Sequence, residues 1–339
     1  MLEALYSALI RTNSYLFDTN RRVINHAEIP VISIGNISTG GSGKTPFTQT
    51  IARKLLDIGK RPAIIGRGYK RKSKGEIIVS NGEEIFTDVQ SAGDELFLHA
   101  ITLHAPVIAN SNRFQAAETA VKKLHCNVIL LDDGFQHRQL HRDLDIVLLD
   151  EFTVNQNYLL PKGRLRENFS SLKRADVIGL QEGIDINLIP YSLQSNQFLV
   201  TTKTEAGKPY LFNQFTQKNI HSPSSQSVIP GKLIAVSAIA HPDKFEKTLR
   251  QSNINAIYHK TFSDHHSYSS KDIIDIVESC NKHSVQAIIT TEKDAVKLLS
   301  YSSQFERNGI MVYILPITTV ITSNEELFDN KITQIINNK

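Results

Sequence analysis

The chain has no tryptophan and only two cysteines among its 339 residues. Cys126 and Cys280 lie far apart and form no CxxC pair, which excludes a disulfide scaffold and a zinc ribbon and fits a reducing compartment. Apolar runs are short, and none reaches the roughly 18–20 residues that a spanning helix needs. The N-terminus has neither the long apolar stretch nor the small-residue cleavage site of a signal peptide, so none is expected. Charge of either sign is not in large excess. The net +4 suits an acidic partner (phosphates, nucleic acid or anionic lipid) without choosing among them. Aromatics are scarce as well, at 7%. The most basic stretch holds one tyrosine and no stacking array, which argues against nucleic acid.

What is present is alternation. Apolar residues make up 40% of the chain, enough for a sizeable core in one large domain or two ordinary ones. "IPVISIG", "RPAIIG", "NVILLDD" and "LDIVLLDEF" read as buried strands, with helical stretches such as "TPFTQTIARKLLDIGK" and "NRFQAAETAVKKLH" between them. Continuous apolar strands separated by helices indicate a parallel sheet covered on both faces. From about residue 197 the pattern changes to a strand-like run, followed by the polar stretch "HSPSSQS" of linker type. Alternation then resumes. The organisation expected is a domain over 1–196, a β-strand linker over 197–230 and a smaller α/β unit over 231–339.

The first segment places Leu2, Leu5, Tyr6, Leu9 and Ile10 on one helical face, followed by Arg11, Arg21 and Arg22. Two readings stay open: a helix packed on its own domain, or one lying in a membrane interface with its arginines near anionic headgroups.

"STGGSGKTP" runs from Ser38 to Pro46, between an apolar strand and a helix. That is the context a phosphate-binding loop requires, although Ser38 stands where the usual pattern has glycine. Gly40, Gly41 and Gly43 free the backbone, so that N–H groups from Thr39 to Thr45, Ser42 included, converge on phosphate oxygens at a positive helix end. Lys44 reaches the outer phosphates, and the Thr45 hydroxyl suits Mg²⁺. A glycine-rich turn without ligand is the plainer alternative. Downstream, "VILLDDGFQH" ends an apolar strand in Asp132-Asp133, the acidic pair that would hold Mg²⁺ opposite the loop. A nucleoside triphosphate site follows, ATP or GTP.

The acceptor is not fixed by the loop. "GRGYKRK", "SAGDE", Asn112-Arg113, "LDDGFQHRQLHRDLDIVLLD", "LLPKGRLRE", "FSDHHSY" and "TTEKDAVKL" occur with the loop in an order that resembles the tetraacyldisaccharide 4'-kinase family of Gram-negative bacteria, over nearly the whole chain. The resemblance implies a P-loop NTPase-type α/β/α domain, a second, smaller α/β/α domain and a β-strand linker. It implies transfer of the ATP γ-phosphoryl to the 4' hydroxyl of a tetraacylated disaccharide 1-phosphate, the lipid A disaccharide precursor. It also implies a peripheral place on the anionic cytoplasmic face of the inner membrane. Asp94 becomes the base that takes the hydroxyl proton, with His265 its partner from the second domain; Asp264 or His266 are alternatives for that partnership. Without the resemblance, Asp94 reads equally as a helix N-cap and His265 as an exposed loop residue. Arg113 is expected to neutralise charge during transfer. Arg67, Tyr69 and Arg71 become a clamp for the substrate phosphate or lipid headgroups, rather than a solvated basic loop. Gln136 and His137 are expected to line the same cleft. Glu167 falls nearby without a role. Two rivals remain: a kinase or synthetase for a soluble metabolite, and an ATPase switch that yields no phosphorylated small product.

Overall fold

A computed structural model describes residues 2–215 and 229–339. The "HSPSSQS" linker expectation falls outside them. In chain order the strands are β1 (Val31–Gly35), β2 (Pro62–Gly66), β3 (Ile77–Asn81), β4 (Pro106–Ala109), β5 (Val128–Asp132), β6 (Leu144–Leu149), β7 (Val177–Gln181), β8 (Phe198–Ala206), β9 (Tyr210–Leu211), β10 (Leu233–Ser237), β11 (Ala256–Thr261), β12 (Ala287–Thr291), β13 (Met311–Leu315) and β14 (Ile317–Ser323). Among the described residues they form a nine-stranded sheet ordered β14-β8-β7-β6-β1-β5-β2-β4-β3 and a five-stranded sheet ordered β11-β10-β12-β13-β9. This is the mixed α/β architecture the alternation predicts.

The large sheet is parallel from β8 to β4, with β14 and β3 antiparallel at its edges. Its central strands β1, β2, β5 and β6 are buried along their whole length, as expected for a sheet covered on both faces. β1 lies between β5 and β6, so the chain leaves the sheet in opposite directions on the two sides of β1. Parallel sheets open a crevice at the carboxyl ends of their strands at such a point. The loops after β1, β2, β4, β5 and β6 all emerge at that edge. The residues picked out from sequence in five separate motifs therefore share one rim.

The last part of the chain departs from the expected organisation. Residues 317–323 do not extend the smaller sheet: β14 pairs antiparallel with β8, Ile317 facing Ala206, at the edge of the large one. β8, read as linker, is likewise a full member of the large sheet, parallel to β7. The helix Glu325–Asn337 then packs on the helix Lys44–Asp57, with the Phe328 and Phe47 rings 6.0 Å apart and both buried. Lys54 adds ion pairs to Glu325 at 2.7 Å and Asp329 at 2.8 Å. A short alternating strand such as "ITTVITS" has no feature that names its partner, so its return to the first sheet was not legible.

The chain thus crosses between the sheets twice in the described residues, out after β8 and back after β13. The crossings are tied together: the Gly207 N–H donates to the Pro316 carbonyl at 2.9 Å. Beside them Glu292 is buried and accepts from the Ile317 N–H at 3.3 Å and the Tyr210 hydroxyl at 3.4 Å. Burial pushes its carboxyl up to about 7.

The N-terminal helix Leu2–Asp18 combines features of both readings. Tyr6 donates to the Arg166 carbonyl at 3.2 Å, Glu3 accepts from the Leu159 N–H at 3.1 Å, and Phe17 is buried beneath Arg138. The opposite side leaves Leu2, Leu5 and Leu9 exposed, at 65%, 59% and 61%. No described helix is long and apolar enough to cross a membrane.

If the C-terminal helix is integral to the phosphate-loop domain, Phe328→Ala should cost about 3–5 kcal/mol of unfolding free energy, the range for a buried aromatic truncated in a core. Denaturant unfolding measures this; a loss under ~1 kcal/mol would mean that the helix is only loosely attached.

Candidate active site

The loop after β1 is braced before it reaches its glycines. Asn36 is fully buried and donates from one amide to the Ser38 hydroxyl at 3.3 Å and the Ser42 hydroxyl at 2.9 Å. Ser38, also buried, shares a 2.7 Å hydrogen bond with the Thr153 hydroxyl, and Thr153 donates to Asp150 at 2.6 Å. The opposite oxygen of Asp150 takes an ion pair from Lys244 of the smaller sheet's first helix, Pro242–Gln251, at 3.3 Å. A hydrogen-bonded chain therefore runs from the second unit to the loop, entering it at Ser38. Glycine there would break it. On the other flank the Thr39 N–H donates to the Arg164 carbonyl at 2.8 Å and the Arg166 N–H to the Ile37 carbonyl at 2.7 Å. Gly43 has φ 78 and caps the helix Lys44–Asp57; an L side chain there would be strained. The helix opens at Lys44 and Thr45, with its unpaired N–H groups toward the rim.

Asp132 and Asp133 leave β5 in different directions. Asp132 is buried, 2.9 Å from Nε2 of the fully buried His99 and 3.4 Å from the Thr48 hydroxyl. Asp133 has φ 57, a left-handed turn that swings its carboxylate toward the loop. There it meets Lys44 at 3.5 Å and Arg166 at 2.9 and 2.7 Å. Burial alone would raise its carboxyl, but the Lys44 and Arg166 charges outweigh it and hold Asp133 at about 2. Arg166 also approaches Gln136 at 3.3 Å, and Gln136 donates to the Asn36 carbonyl at 2.8 Å. Arg166 was missed from sequence. A lone arginine in "GRLRE" offers no spacing signal, and its partner lies 33 residues upstream.

Arg113 opens the helix Arg113–Lys122 after β4. It is buried, donates to the Asn110 carbonyl at 2.5 Å and leaves its Nε without a partner. Burial, with Arg67 and Arg71 nearby, brings its guanidinium down to about 10 despite Asp133 and Asp132. His137 is pushed down to about 4 by burial and by the charges of Arg113 and Arg142. It is thus a neutral imidazole near neutral pH. Arg71 turns into its own loop, donating to Ser73 and to the carbonyls of Ala109 and Gly75. Arg67 and Tyr69 stay exposed.

Asp94 begins the helix Asp94–Thr102, whose later turn carries His99. One short helix therefore carries Asp94 at its start and grips Asp132 from its middle. Gly93 before it has φ 86, and a side chain there would press on the backbone of Gly68 and Tyr69. Asp94 is buried, and its Oδ2 lies 2.9 Å from Nδ1 of His265, which enters from the smaller unit. Burial opposes the charged form of Asp94, yet the His265 hydrogen bond and the charges of Lys293 and Lys297 hold its carboxyl below the ordinary range. The Tyr69 ring lies edge-on to His265, centroids 5.0 Å apart. Of the alternatives to His265, His266 is bonded to Asp272 at 3.1 Å and stacked on Phe262. Asp264 lies 4.0 Å from His265 on its Nε2 side. Glu167 is buried and paired with Arg174 at 2.8 Å.

"TTEKDAVKL" had no role assigned from sequence, and the structure supplies one for most of its polar residues. Thr291 caps the helix Glu292–Leu298. Glu292 sits at the strand crossings. Asp294 accepts from the Ala238 N–H at 3.0 Å, and the Ala238 carbonyl accepts from the His265 N–H at 3.2 Å. His265 itself has φ 57, so this anchorage holds a conformation that few side chains adopt.

A protein-family model described as tetraacyldisaccharide-1-P 4'-kinase matches residues 1–337. The tetraacyldisaccharide 4'-kinase of Desulfotalea psychrophila is 36% identical over 96% of this chain and 93% of its own. That of Halothermothrix orenii is 35% identical over 99% of this chain and 91% of its own. Among solved structures, an "apo" form of LpxK from Aquifex aeolicus in complex with ATP superposes with a TM-score of 0.77. It is 31% identical and covers 99% of this chain and 97% of that one.

The chain of hydrogen bonds to Ser38 is testable with Thr153→Val, which removes one buried hydroxyl at nearly constant volume. Leaving Ser38 and Asp150 each short of a partner should cost about 1–3 kcal/mol of stability. Nucleotide affinity by calorimetry should weaken several-fold, and an unchanged Kd would show that the loop does not depend on this bracing.

Proposed function

The chain belongs to the tetraacyldisaccharide 4'-kinase family, and on that premise we propose how its own residues transfer the γ-phosphoryl of ATP to the 4' hydroxyl of a tetraacyldisaccharide 1-phosphate. The observation that carries the reading is the 2.9 Å contact between Asp94 and His265, made across two sheets at the rim that also bears the phosphate loop. A sugar hydroxyl is a weak nucleophile, and in-line transfer asks the protein mainly for position and charge. Asp94 is held ionised and so accepts the hydroxyl proton as the new P–O bond forms. His265 holds that carboxylate in place from the second unit, so the base is complete only when the units meet.

The loop N–H groups from Thr39 through Gly40, Gly41, Ser42 and Gly43 to Thr45 bind phosphate oxygens of ATP, with Lys44 on the outer phosphates. Arg113, with its free buried Nε, suits charge that develops on the transferring group. A bound Mg²⁺ would supply charge neutralisation at the phosphates. A nucleotide-bound Mg²⁺ needs only one or two protein oxygens besides phosphate and water. The ionised Asp133 and the Thr45 hydroxyl fit that need. Asp132, bonded to His99 and Thr48, fits a supporting place beside them. Arg67 and Tyr69, with Gln136 and His137, face the acceptor; Arg71 shapes the loop that presents Arg67 and Tyr69.

The exposed face of Leu2, Leu5 and Leu9, on a helix followed by Arg21 and Arg22, supports docking on an anionic membrane surface where an acylated acceptor resides. The domain reading that fits best is a phosphate-loop unit closed by residues 317–337 and a smaller unit over 231–315.

Two experiments test this. Labelled ATP incubated with detergent-dispersed tetraacyldisaccharide 1-phosphate should yield labelled lipid on extraction. Lys44→Ala should lower that yield by about 10²-fold or more, as loss of a charge contact to the transferring group does. Transfer to water-soluble acceptors alone would favour a metabolite kinase. Replacing Leu2, Leu5 and Leu9 with serine should reduce vesicle flotation and raise KM for lipid, not for ATP; unchanged flotation would contradict the docking role.

A further inference from the structure

We propose that His99 is a positioning residue that fixes, through Asp132, the placement of the helix Asp94–Thr102 against the helix Lys44–Asp57 that follows the phosphate loop. The inference rests on the function proposed above. His99 is fully buried, and its Nε2 donates to Oδ2 of Asp132 at 2.9 Å. The other oxygen of Asp132 accepts from the Thr48 hydroxyl at 3.4 Å, one turn into the helix Lys44–Asp57. Asp132 therefore ends β5 with one helix on each of its oxygens. The next residue of the loop helix makes a second link. Gln49 donates to the Thr102 hydroxyl at 2.9 Å, and Thr102 gives its own proton to the Leu98 carbonyl at 2.7 Å. Adjacent residues of one helix thus hold the other at His99 and at Thr102, one turn apart.

The same two helices otherwise bury apolar side chains, among them Phe47, Ile51, Leu96 and Leu98. Apolar contact is non-directional and lets helices settle in several placements, whereas a buried hydrogen bond accepts one. A polar residue in an apolar interface fixes register in this way. Nδ1 of His99 has no hydrogen-bond partner among the described residues, so the ring is tied at one end alone, to Asp132. A leucine would fill such a site without leaving a buried nitrogen unpaired. What the imidazole adds is placement. The helix Lys44–Asp57 opens on Lys44 and Thr45, at the phosphoryl donor. The helix Asp94–Thr102 opens on Asp94, at the acceptor. In-line transfer depends on the separation of the two sides, and a displacement of about 1 Å costs about 10²-fold in rate.

Substitutions at His99 separate placement from simple packing. A glutamine sets an amide N–H where Nε2 stands, and an asparagine sets one where Nδ1 stands, short of Asp132. His99→Leu and His99→Asn should lower kcat about 10–10²-fold, and His99→Gln should recover most of it. KM for ATP should stay unchanged in all three, because the loop keeps its own contacts. A kcat that follows the melting temperatures of the variants rather than the reach of the donor would overturn the proposal. So would a kcat within about twofold of wild type in His99→Leu. If the His99 variants fail to fold, Gln49→Met tests the second link. It should lower kcat about threefold or more with KM for ATP unchanged, and an unchanged kcat would overturn the proposal. Hydrogen exchange gives a readout without turnover. A non-hydrolysable ATP analogue should slow exchange in the helix Asp94–Thr102 of the wild type and of His99→Gln, but not of His99→Leu. Equal slowing in the wild type and His99→Leu would contradict the link. If the wild type labelled no lipid while exchange followed the expected pattern, the function proposed above would fail and the positioning role of His99 would stand.

Discussion

The contact between the Asp94 carboxylate and the His265 imidazole spans two sheets that the chain joins by only two crossings in its described residues, and the geometry of the site depends on it. Each partner is placed by a positive-φ backbone turn: Gly93 at φ 86 aims the helix that begins with Asp94, and His265 itself sits at φ 57. Such conformations cost on the order of 1–3 kcal/mol for a non-glycine residue and persist only where the surroundings enforce them. Here Asp294 holds the end of β10, which holds His265. Lys244 forms a second link between the units, ending through Asp150 and Thr153 at Ser38. The smaller unit therefore reaches both the phosphate loop and the proposed base.

Charge is distributed to match. Lys44, Arg113 and Arg166 converge where phosphates are expected, and Asp133 sits among them ionised. Phosphate oxygens of a bound nucleotide would compete with Asp133 for Lys44 and Arg166.

Much of this was legible in sequence because its carriers are local. The glycines with Lys44 and Thr45 announce a turn chemistry that few other sequences can serve, and β1, β2, β5 and β6 announce a buried sheet by unbroken apolar runs. What was not legible depends on residues distant in the chain. β14 returns to the first sheet because its face fits β8 and its following helix fits Phe47, and neither partner is marked in "ITTVITS". Arg166 is an ordinary basic residue until the fold brings Asp133 to it. The first helix shows the limit of periodicity alone. Leu2, Leu5, Tyr6, Leu9 and Ile10 share a face at helical spacing, but the fold splits that face, half-burying the Tyr6 side and leaving the leucines outside. Adjacent His265 and His266 were separable by resemblance only; the structure separates them by giving His266 to Asp272.

The most direct measurement of the central claim is a double-mutant cycle on kcat with Asp94→Asn and His265→Gln at saturating ATP and lipid. If the two side chains act as one unit, the single substitution at Asp94 should cost about 10²–10⁴ in kcat, that at His265 less, and the double variant little more than the larger single loss. Losses that multiply in full would contradict a joint role and leave the 2.9 Å contact a structural bridge between the two units.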